Sequence, residues 1–371
     1  RTVVFALGKA ALAMSWGAAT ALGTERLEGL VVSNYEDRVP EGTKLMIGSH
    51  PIPDQSSIEA GEALLDLAAS LDEEDLAIVL ISGGGSALAE VPVPDVTVAD
   101  LAVTNEVLLR SGADILETNV VRRRLSRLKG GGLAAAIAPA PMVALVVSDV
   151  VGDSLVAIAS GPTIAATDAE GAAWEVIDRF GVRNLLPESV VAALQQTPQP
   201  LGPMPQQEIK VIASGPVAAH AAAAEAQRRG FPATVVDTRI AGEALVTAGE
   251  VLSRSKGSVS VFAGETTVSV TGDGIGGRNH EAALAAATII DGNPHVYFLA
   301  AGTDGIDGMA QAAGAFVDGT TVTRARALGL DAAEALERND SGTFFGEMGD
   351  QLITGPTGTN VGDLWLVLRT N

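Results

Sequence analysis

Short runs of consecutive apolar residues alternate with longer helical patterns along most of this sequence. The first two runs, at residues 3–7 and 30–33, are separated by an Ala- and Leu-rich helical stretch at 10–22. Further runs follow at residues 76–81 and 142–148. Because they are continuously apolar rather than alternating, they predict parallel strands whose sheet is covered by helices on both faces. The pattern therefore predicts an α/β/α domain with a mainly parallel sheet.

A proline-rich segment at residues 197–207 interrupts this pattern. It contains four prolines and no apolar periodicity, which is typical of a semi-rigid linker. We expect an N-terminal α/β/α domain at 1–196, this linker at 197–207, and a C-terminal α/β domain at 208–371, with intertwining of the two domains left open.

The region after the linker has its own strand and helix signals. Apolar runs at 209–213, 258–263, 296–301 and 364–368 predict strands, and residues 266–271 read as one strand of a hairpin. Apolar runs together with a hairpin strand predict a sheet that has both parallel and antiparallel pairings. The expected fold class is thus two three-layer α/β/α domains, one with a mainly parallel sheet and one with a mixed sheet.

Charge and composition exclude several classes of function. The net charge of −21 disfavours nucleic acid and anionic membranes as partners. The absence of cysteine excludes disulfides and thiolate chemistry. No apolar run reaches the roughly 18 residues of a membrane span, so we expect a cytoplasmic monomer or homodimer that acts on small molecules. Of five lysines, Lys9 and Lys129 adjoin glycines in the most unusual segments.

A glycine-rich loop follows the apolar run at 76–81. Its residues are Ser82, Gly83, Gly84, Gly85 and Ser86. Successive glycines allow backbone N–H groups to converge on a phosphate, although the lysine of a Walker A motif is missing. The loop is interpreted equally well as a phosphate cradle or as a tight strand-to-helix turn.

Cations cluster at residues 118–132, where Asn119, three consecutive arginines, Arg127 and Lys129 occur in an acidic chain. They are either anion ligands or part of a solvated helix face, and Lys129, beside three glycines, is the preferred functional residue.

Asp149 and Asp153 follow the apolar run at 142–148. This position suits either a magnesium phosphate or ordinary helix capping.

Two glycine-rich segments occupy the second half. Residues 272–279 contain the text pattern G-x-G-x-x-G and then Arg278 and Asn279. An arginine at a helix start suits a carboxylate or phosphoryl oxygen, and a plain hairpin exit is the alternative. Residues 301–308 carry Asp304 and Asp307 without the remaining ligands of an EF-hand. They support a metal or a substrate hydroxyl, or only form turns.

Together these segments resemble the type II glycerate kinase family with its C-terminal module. The matching stretches occur in family order, and their joint occurrence is specific although none is diagnostic alone. They are Gly8-Lys-Ala-Ala11, His50-Pro-Ile-Pro-Asp54, Ser82-Gly-Gly-Gly-Ser-Ala-Leu88, residues 122–131, Ser148-Asp149, Gly152-Asp153, Ser160-Gly-Pro-Thr163, Gly264-Glu-Thr-Thr267, Gly276-Gly-Arg-Asn279, residues 302–308, Asn339-Asp-Ser341 and residues 354–360.

The resemblance implies two interlocked domains around a cleft, ATP with Mg²⁺, and transfer of the γ-phosphoryl group to D-glycerate, giving 2-phosphoglycerate. It aligns Lys9 and Arg278 with the family's catalytic cations. The sequence departs from the family at Arg124, where a histidine is expected, and at Gly132, where arginine or glutamine is common. These departures concern substrate identity more than reaction type.

The resulting hypothesis assigns a role to each candidate residue. Catalysis is assigned to Lys9, Arg278 and Asp149; nucleotide binding to Ser82, Gly83, Gly84, Gly85, Ser86, Lys129 and Asp153; substrate binding to Asn119, Glu265, Asn279 and Asp304; and Mg²⁺ binding to Asp149 and Asp153. One of Asp149, Asp153 and Asp304 accepts the proton of the attacking hydroxyl, and the sequence does not choose among them.

Two other functions are kept as alternatives. The text pattern at 272–277 suggests an NAD-dependent hydroxypyruvate reductase. The departures from the family suggest a non-catalytic relative that binds a small acid.

Overall fold

The computed structural model describes residues 1–23, 26–169, 171–198 and 200–370. These fold into two compact units, Arg1–Val147 with Ser154–Ile212, and Ser148–Asp153 with Ala213–Asn371. The predicted domains and linker also contain Thr24, Glu25, Glu170, Gln199 and Asn371, which lie outside the described residues. The predicted domain limits stay a prediction.

The first unit is built on one six-stranded sheet of order β3-β2-β1-β4-β5-β6. Its strands are β1 (Thr2–Leu7), β2 (Arg26–Ser33), β3 (Glu41–Ile47), β4 (Leu76–Ile81), β5 (Met142–Val147) and β6 (Gln207–Ala213). Its helices are α1 (Ala11–Ala21), α2 (Gln55–Ala69), α3 (Gly85–Leu88), α4 (Val98–Ser111), α5 (Ile115–Arg124), α6 (Gly132–Ile137), α7 (Ala172–Arg179) and α8 (Glu188–Gln195). Short 3-10 turns occur at Ile158–Ser160 and Arg183–Leu185.

The centre of the first sheet is buried on both faces. Val4 and Ala6 of β1 pack with Ala11 and Leu12 of α1, while the alternate residue Phe5 is equally buried. Because successive side chains of a strand point to opposite faces, helices must cover both sides. The continuous apolar run at the start of the chain is thereby explained.

The second unit contains a sheet of order β11-β10-β9-β12-β8-β7. Its strands are β7 (Ala233–Ile240), β8 (Val259–Gly264), β9 (Val296–Gly302), β10 (Gly314–Asp318), β11 (Gln351–Leu352) and β12 (Asp363–Arg369). Its helices are α9 (Gly215–Arg228), α10 (Ala244–Arg254), α11 (Arg278–Ile290), α12 (Thr321–Ala327), α13 (Ala332–Glu337) and α14 (Ser341–Met348).

Helices cover both faces of the second sheet. Phe262 packs into the cluster that contains the buried alanines of α11, whereas its neighbour Val261 packs with Ala219 and Ala223 of α9. β7 pairs in parallel with β8, and the other pairings are antiparallel. The predicted fold class, with a parallel first sheet and a mixed second sheet, is confirmed.

The hairpin strand predicted at residues 266–271 is wrong. This segment forms no strand. Its backbone pairing is limited to an isolated parallel bridge between Glu243 and Thr267, and side chains accept hydrogen bonds from other N–H groups of the segment. The carboxylate of Glu243 accepts hydrogen bonds from the N–H of Ser269 at 3.1 Å and from its hydroxyl at 2.9 Å. Asn339 Oδ1 accepts from the N–H groups of Thr271 and Gly272 at 2.7 and 2.8 Å.

None of the helices in the described part of the chain is both long enough and apolar enough to cross a membrane.

Candidate active site

The candidate site of the first unit lies at the carboxyl edge of its parallel sheet. β1 to β4 pair in parallel register, so their carboxyl ends meet at one edge. Lys9 follows β1, His50 follows β3, and the glycine loop at 82–86 follows β4. Ligands of open parallel sheets bind at this edge. The topology thus brings three polar segments together.

Two of these segments are joined by direct contacts. A Cβ on Gly8 would lie 2.2 Å from Ser82 Oγ, so only glycine permits this approach. Ser82 Oγ accepts a hydrogen bond from the N–H of Ala10 at 2.9 Å, and Lys9 N–H donates to the carbonyl of Gly83 at 2.9 Å. The Ser82 side chain therefore holds the loop in place.

The glycine loop has unused backbone donors. Among the residues that the structure describes, the N–H groups of Gly83, Gly84, Gly85 and Ser86 reach no hydrogen-bond acceptor. Gly84 has a left-handed φ of +84°. Consecutive unpaired N–H groups around a left-handed residue form an anion-binding concavity. The geometry has the donors that a phosphate requires, and nucleotide binding by this loop stays a prediction.

Lys9 and His50 lie over this loop. A Cβ on Gly84 would lie 3.1 Å from Lys9 Cγ and 3.2 Å from His50 Cδ2. Within the described chain no carboxylate pairs with the Lys9 ammonium group. Desolvation, reinforced by the positive charge of Lys9, lowers the pKa of His50, so its imidazole is neutral at pH 7. A cation and a neutral imidazole therefore accompany the free N–H groups.

Replacement of Gly84 by alanine tests the cradle. The new Cβ would press on the Lys9 stem. If the loop binds a nucleotide as the family resemblance implies, we expect KM for ATP to rise about tenfold, the scale of a modest overpacking cost. Gly112→Ala is the matched control, because Gly112 has a similar φ of +83° but no atom lies within 4 Å of the position that its Cβ would take. Steady-state kinetics of both variants test this, and a KM of Gly84→Ala no higher than that of Gly112→Ala would contradict the cradle.

Ser86 is anchored to a buried polar chain. Its Oγ lies 3.0 Å from Ser160 Oγ, and Ser160 Oγ donates to Asn119 Oδ1 at 2.9 Å. Asn119 Nδ2 donates to the carbonyl of Ala157 at 3.3 Å, and its side chain is buried. The described contacts give Asn119 a supporting position behind the loop, and its role as a substrate ligand stays a prediction.

Lys129 is buried in an ion pair. Its ammonium group contacts Glu90, which also accepts a hydrogen bond from the hydroxyl of Ser126. Burial lowers the pKa of Lys129, and the charge of Glu90 opposes this. Because the ammonium is already paired, a nucleotide phosphate would have to compete with Glu90 for it. Nucleotide binding by Lys129 stays a prediction.

Asp149 and Asp153 lie on the segment Ser148–Asp153, which belongs to the second unit. Asp153 has a left-handed φ of +54°, and its buried Oδ1 has no hydrogen-bond partner among the described residues. No group of three or more metal-binding side chains occurs in the described parts of the chain. Mg²⁺ needs only one or two carboxylates when phosphates complete its shell, and an unsatisfied carboxylate oxygen fits that requirement.

Arg278 begins α11 and is held by two carboxylates. Its Nε donates to Asp363 Oδ2 at 2.7 Å, and its terminal nitrogen lies 3.3 Å from Glu265 Oε1. Burial alone would lower the pKa of Arg278, but the hydrogen bond and charge of Asp363 raise it overall. The Arg278 side chain remains 30% exposed. Arg278 is therefore a fixed and partly accessible cation, and Glu265 contacts it directly.

The start of α11 is capped from a distant position. Asp307 accepts hydrogen bonds from the N–H groups of Asn279 at 3.1 Å and His280 at 2.8 Å, and from the His280 ring at 2.6 Å. Asn279 Nδ2 also donates to Asp363 at 2.9 Å, and Asn279 Oδ1 accepts from Trp365 at 2.8 Å. These N–H groups are thus occupied, and Asn279 is buried as a bridge. Its role as a substrate ligand stays a prediction.

Asp304 lies in the turn after β9. Its Oδ1 accepts a hydrogen bond from the N–H of Ile306 at 3.2 Å, and the side chain is half-buried. This contact is the turn chemistry expected of an Asp-Gly pair. A role for Asp304 as a base or substrate ligand stays a prediction.

Glu281 is a buried carboxylate in α11 that receives a hydrogen bond from Asn339 Nδ2. Burial raises its pKa, because desolvation outweighs the hydrogen bond from Asn339. The stability associated with its neutral form is complete at low pH and is lost as pH rises through the raised pKa. We therefore expect Glu281→Gln to be more stable than the parent at pH 8 and to lose this advantage near pH 4.

Urea unfolding at both pH values measures this difference. Glu347→Gln is the control, because it removes an exposed carboxylate of the same helix-rich layer. A stability difference that is independent of pH for Glu281→Gln would contradict the assignment.

Two functional candidates were given no role in the sequence. His50 was detectable in principle, because it follows a strand at the same sheet edge as Lys9. Asp363 carried no usable local signal, since its partner Arg278 lies 85 residues away. Asp307 was considered as support for a metal or a substrate hydroxyl, but its contact with the start of α11, 28 residues away, had no local signal.

Comparison with known proteins identifies the family. Residues 1–195 match a domain of unknown function, DUF4147, and residues 258–363 match the MOFRL family. The D-glycerate 2-kinase of Thermotoga maritima is 39% identical, with 98% of this chain and 89% of that protein covered. A putative hydroxypyruvate reductase of Agrobacterium vitis is 40% identical, with 99% and 87% covered. A crystal structure of glycerate kinase from Thermotoga maritima has a TM-score of 0.90 at 38% identity and covers 100% of this chain and 92% of that one. The chain belongs to the type II glycerate kinase family and is a kinase.

Proposed function

We propose that this chain transfers the γ-phosphoryl group of ATP to the 2-hydroxyl of D-glycerate and releases 2-phosphoglycerate and ADP. The observation that carries the proposal is the glycine loop, where four successive N–H groups without protein acceptors in the described chain lie beneath the Lys9 stem. Family membership supports the same reaction class. Such a loop and cation suit the positioning and charge neutralisation that phosphoryl transfer requires.

In this proposal the loop at 83–86 binds nucleotide phosphates, and Lys9 neutralises charge on the transferring group. Arg278, fixed by Asp363, binds a carboxylate or phosphoryl oxygen. Asp149 and Asp153 hold Mg²⁺, which when bound offsets phosphate charge.

The chemical step forms a bond between the glycerate oxygen and the γ-phosphorus while the bond from that phosphorus to the β–γ bridging oxygen breaks. The hydroxyl proton passes to a carboxylate, and Asp149, Asp153 and Asp304 remain the candidates. We also propose that the protein is cytoplasmic and acts as a monomer or a homodimer.

An ATP-consumption assay with D-glycerate, L-glycerate and related hydroxy acids tests the proposal. We expect ATP consumption that depends on D-glycerate and Mg²⁺, and phosphorus NMR should locate the product phosphate on carbon 2. A phosphate on carbon 3 would reject the product, and no ATP consumption with any of these acids would reject the function.

The reductase alternative is less well supported by the geometry. The G-x-G-x-x-G segment at 272–277 follows no strand, and Asp307 occupies the N–H groups of Asn279 and His280 at the start of α11. A dinucleotide site needs that helix start for its pyrophosphate. Absorbance of reduced nicotinamide during incubation with hydroxypyruvate distinguishes the two functions. For the non-catalytic alternative, calorimetry would detect acid binding without ATP consumption.

A further inference from the structure

A second basic feature of the first unit shares only Lys129 with the residues assigned to the proposed reaction. It is a cavity of about 950 Å³, which we call the flank cavity, and its wall includes Leu65, Val120, Arg127, Lys129 and Leu201. Its volume is in the range of pockets that hold a small organic molecule. The arginine-rich stretch noted in the sequence therefore lines a concave surface rather than a flat helix face.

The flank cavity is separate from the glycine loop. Its wall contains none of Lys9, His50 and residues 82–86. The wall does include Leu65, Asp66 and Ala69 in the last part of α2, which begins at Gln55 beside the carboxyl edge. At 1.5 Å per residue, the ten residues from Gln55 to Leu65 correspond to about 15 Å along the helix. The cavity thus lies beside the helices that flank the sheet.

The charged groups of the wall leave a net positive charge even when Asp66 is counted, because four cations face Asp66, Asp168 and the Glu90 that pairs with Lys129. Lys129 is neutralised by Glu90, and Arg123 forms two hydrogen bonds with Asp168 at 2.7 and 2.8 Å. Arg124 donates to the carbonyl of Gln196. The Arg127 guanidinium is exposed and has no hydrogen-bond or ion-pair partner among the described residues. In a chain of net charge −21, an unpaired arginine in a concave wall marks a place where an anion gains binding energy.

The rest of the wall is largely apolar. Leu65, Val93, Val120, Leu201 and several alanines line it. A ligand that fits must therefore combine an anionic group with an apolar body. We infer that the flank cavity binds a small amphipathic organic anion, with Arg127 as the principal ligand of its phosphate, sulfonate or carboxylate group.

A fluorescence titration of the full chain with anilinonaphthalene sulfonate tests this inference. This probe carries a sulfonate on an apolar ring system and becomes fluorescent in apolar surroundings. We expect saturable binding that inorganic pyrophosphate displaces. Because a charge-assisted hydrogen bond is lost, Arg127→Glu should weaken probe binding by about tenfold or more.

Two variants serve as controls. Arg110→Glu reverses an exposed arginine on α4 that does not line the cavity, so probe affinity should not change. Lys9→Ala should also retain probe binding, which locates the probe away from the glycine loop. Equal probe affinity of Arg127→Glu and the parent chain, or loss of binding in Lys9→Ala, would overturn the inference. ATP turnover measured on the same samples separates this result from the proposed kinase reaction.

Discussion

Replacement of Lys9 by alanine is expected to lower turnover in the proposed reaction of ATP with D-glycerate by about three powers of ten, the scale seen when one preorganised group that stabilises transition-state charge is removed. The Lys9 stem lies over Gly84, beside N–H groups that have no protein acceptor in the described chain. Alanine removes the positive charge and leaves the loop's backbone bonds intact. Turnover should therefore fall without a matching loss of stability, as a coupled assay and urea unfolding will measure.

Lys44→Ala is the matched control for this experiment. Lys44 is an exposed lysine on β3, so its removal changes the net charge equally and should leave turnover unchanged. If Lys9→Ala kept turnover within tenfold of the parent chain, Lys9 would have no catalytic role.

Replacement of Arg278 by alanine should reduce both stability and turnover. Asp363 is buried, and burial raises its pKa while the hydrogen bond from Arg278 opposes this shift. Removing one partner of a fully buried pair costs roughly 3–5 kcal/mol, and we expect about 2 kcal/mol here because the Arg278 side chain is 30% exposed. Urea unfolding measures the stability, and steady-state kinetics should show a turnover loss of about a hundredfold.

A double variant separates the two effects of Arg278. Adding Asp363→Asn to Arg278→Ala removes the uncompensated carboxylate, so most of the lost stability should return. Turnover should stay low, because the accessible guanidinium is still missing. Recovery of turnover together with stability would show that Arg278 acts only through the fold.

The pattern of apolar runs was sufficient to predict the architecture. Continuous runs predicted buried parallel strands, and the packing of Val4 and Phe5 on opposite faces of β1 is the physical reason. The loop at 82–86 was located because it follows one of these strands, whereas Lys9 was selected for its adjoining glycines and by the family resemblance. Parallel strand direction is the physical reason that both lie at one edge of the sheet.

Long-range side-chain contacts explain what the sequence did not reveal. The hairpin at 266–271 fitted local β-propensity, but Glu243 and Asn339 satisfy that backbone from distant positions. Lys129 adjoins glycines in the chain, yet it is buried against Glu90, 39 residues away. Periodicity and local motifs contain no information about such pairings.

The remote cap on α11 also determines when that helix can be completed. Asp307 follows β9, so the N–H groups of Asn279 and His280 gain their acceptor only after the chain beyond the helix has returned to it. Asn279 and Asp307 are 28 positions apart, so their contact closes a loop of the chain. The conformational entropy lost on closing this loop opposes formation of the cap. In native-state hydrogen exchange these two amides should therefore exchange together with the turn after β9, as one cooperative opening, rather than by fraying of the helix end.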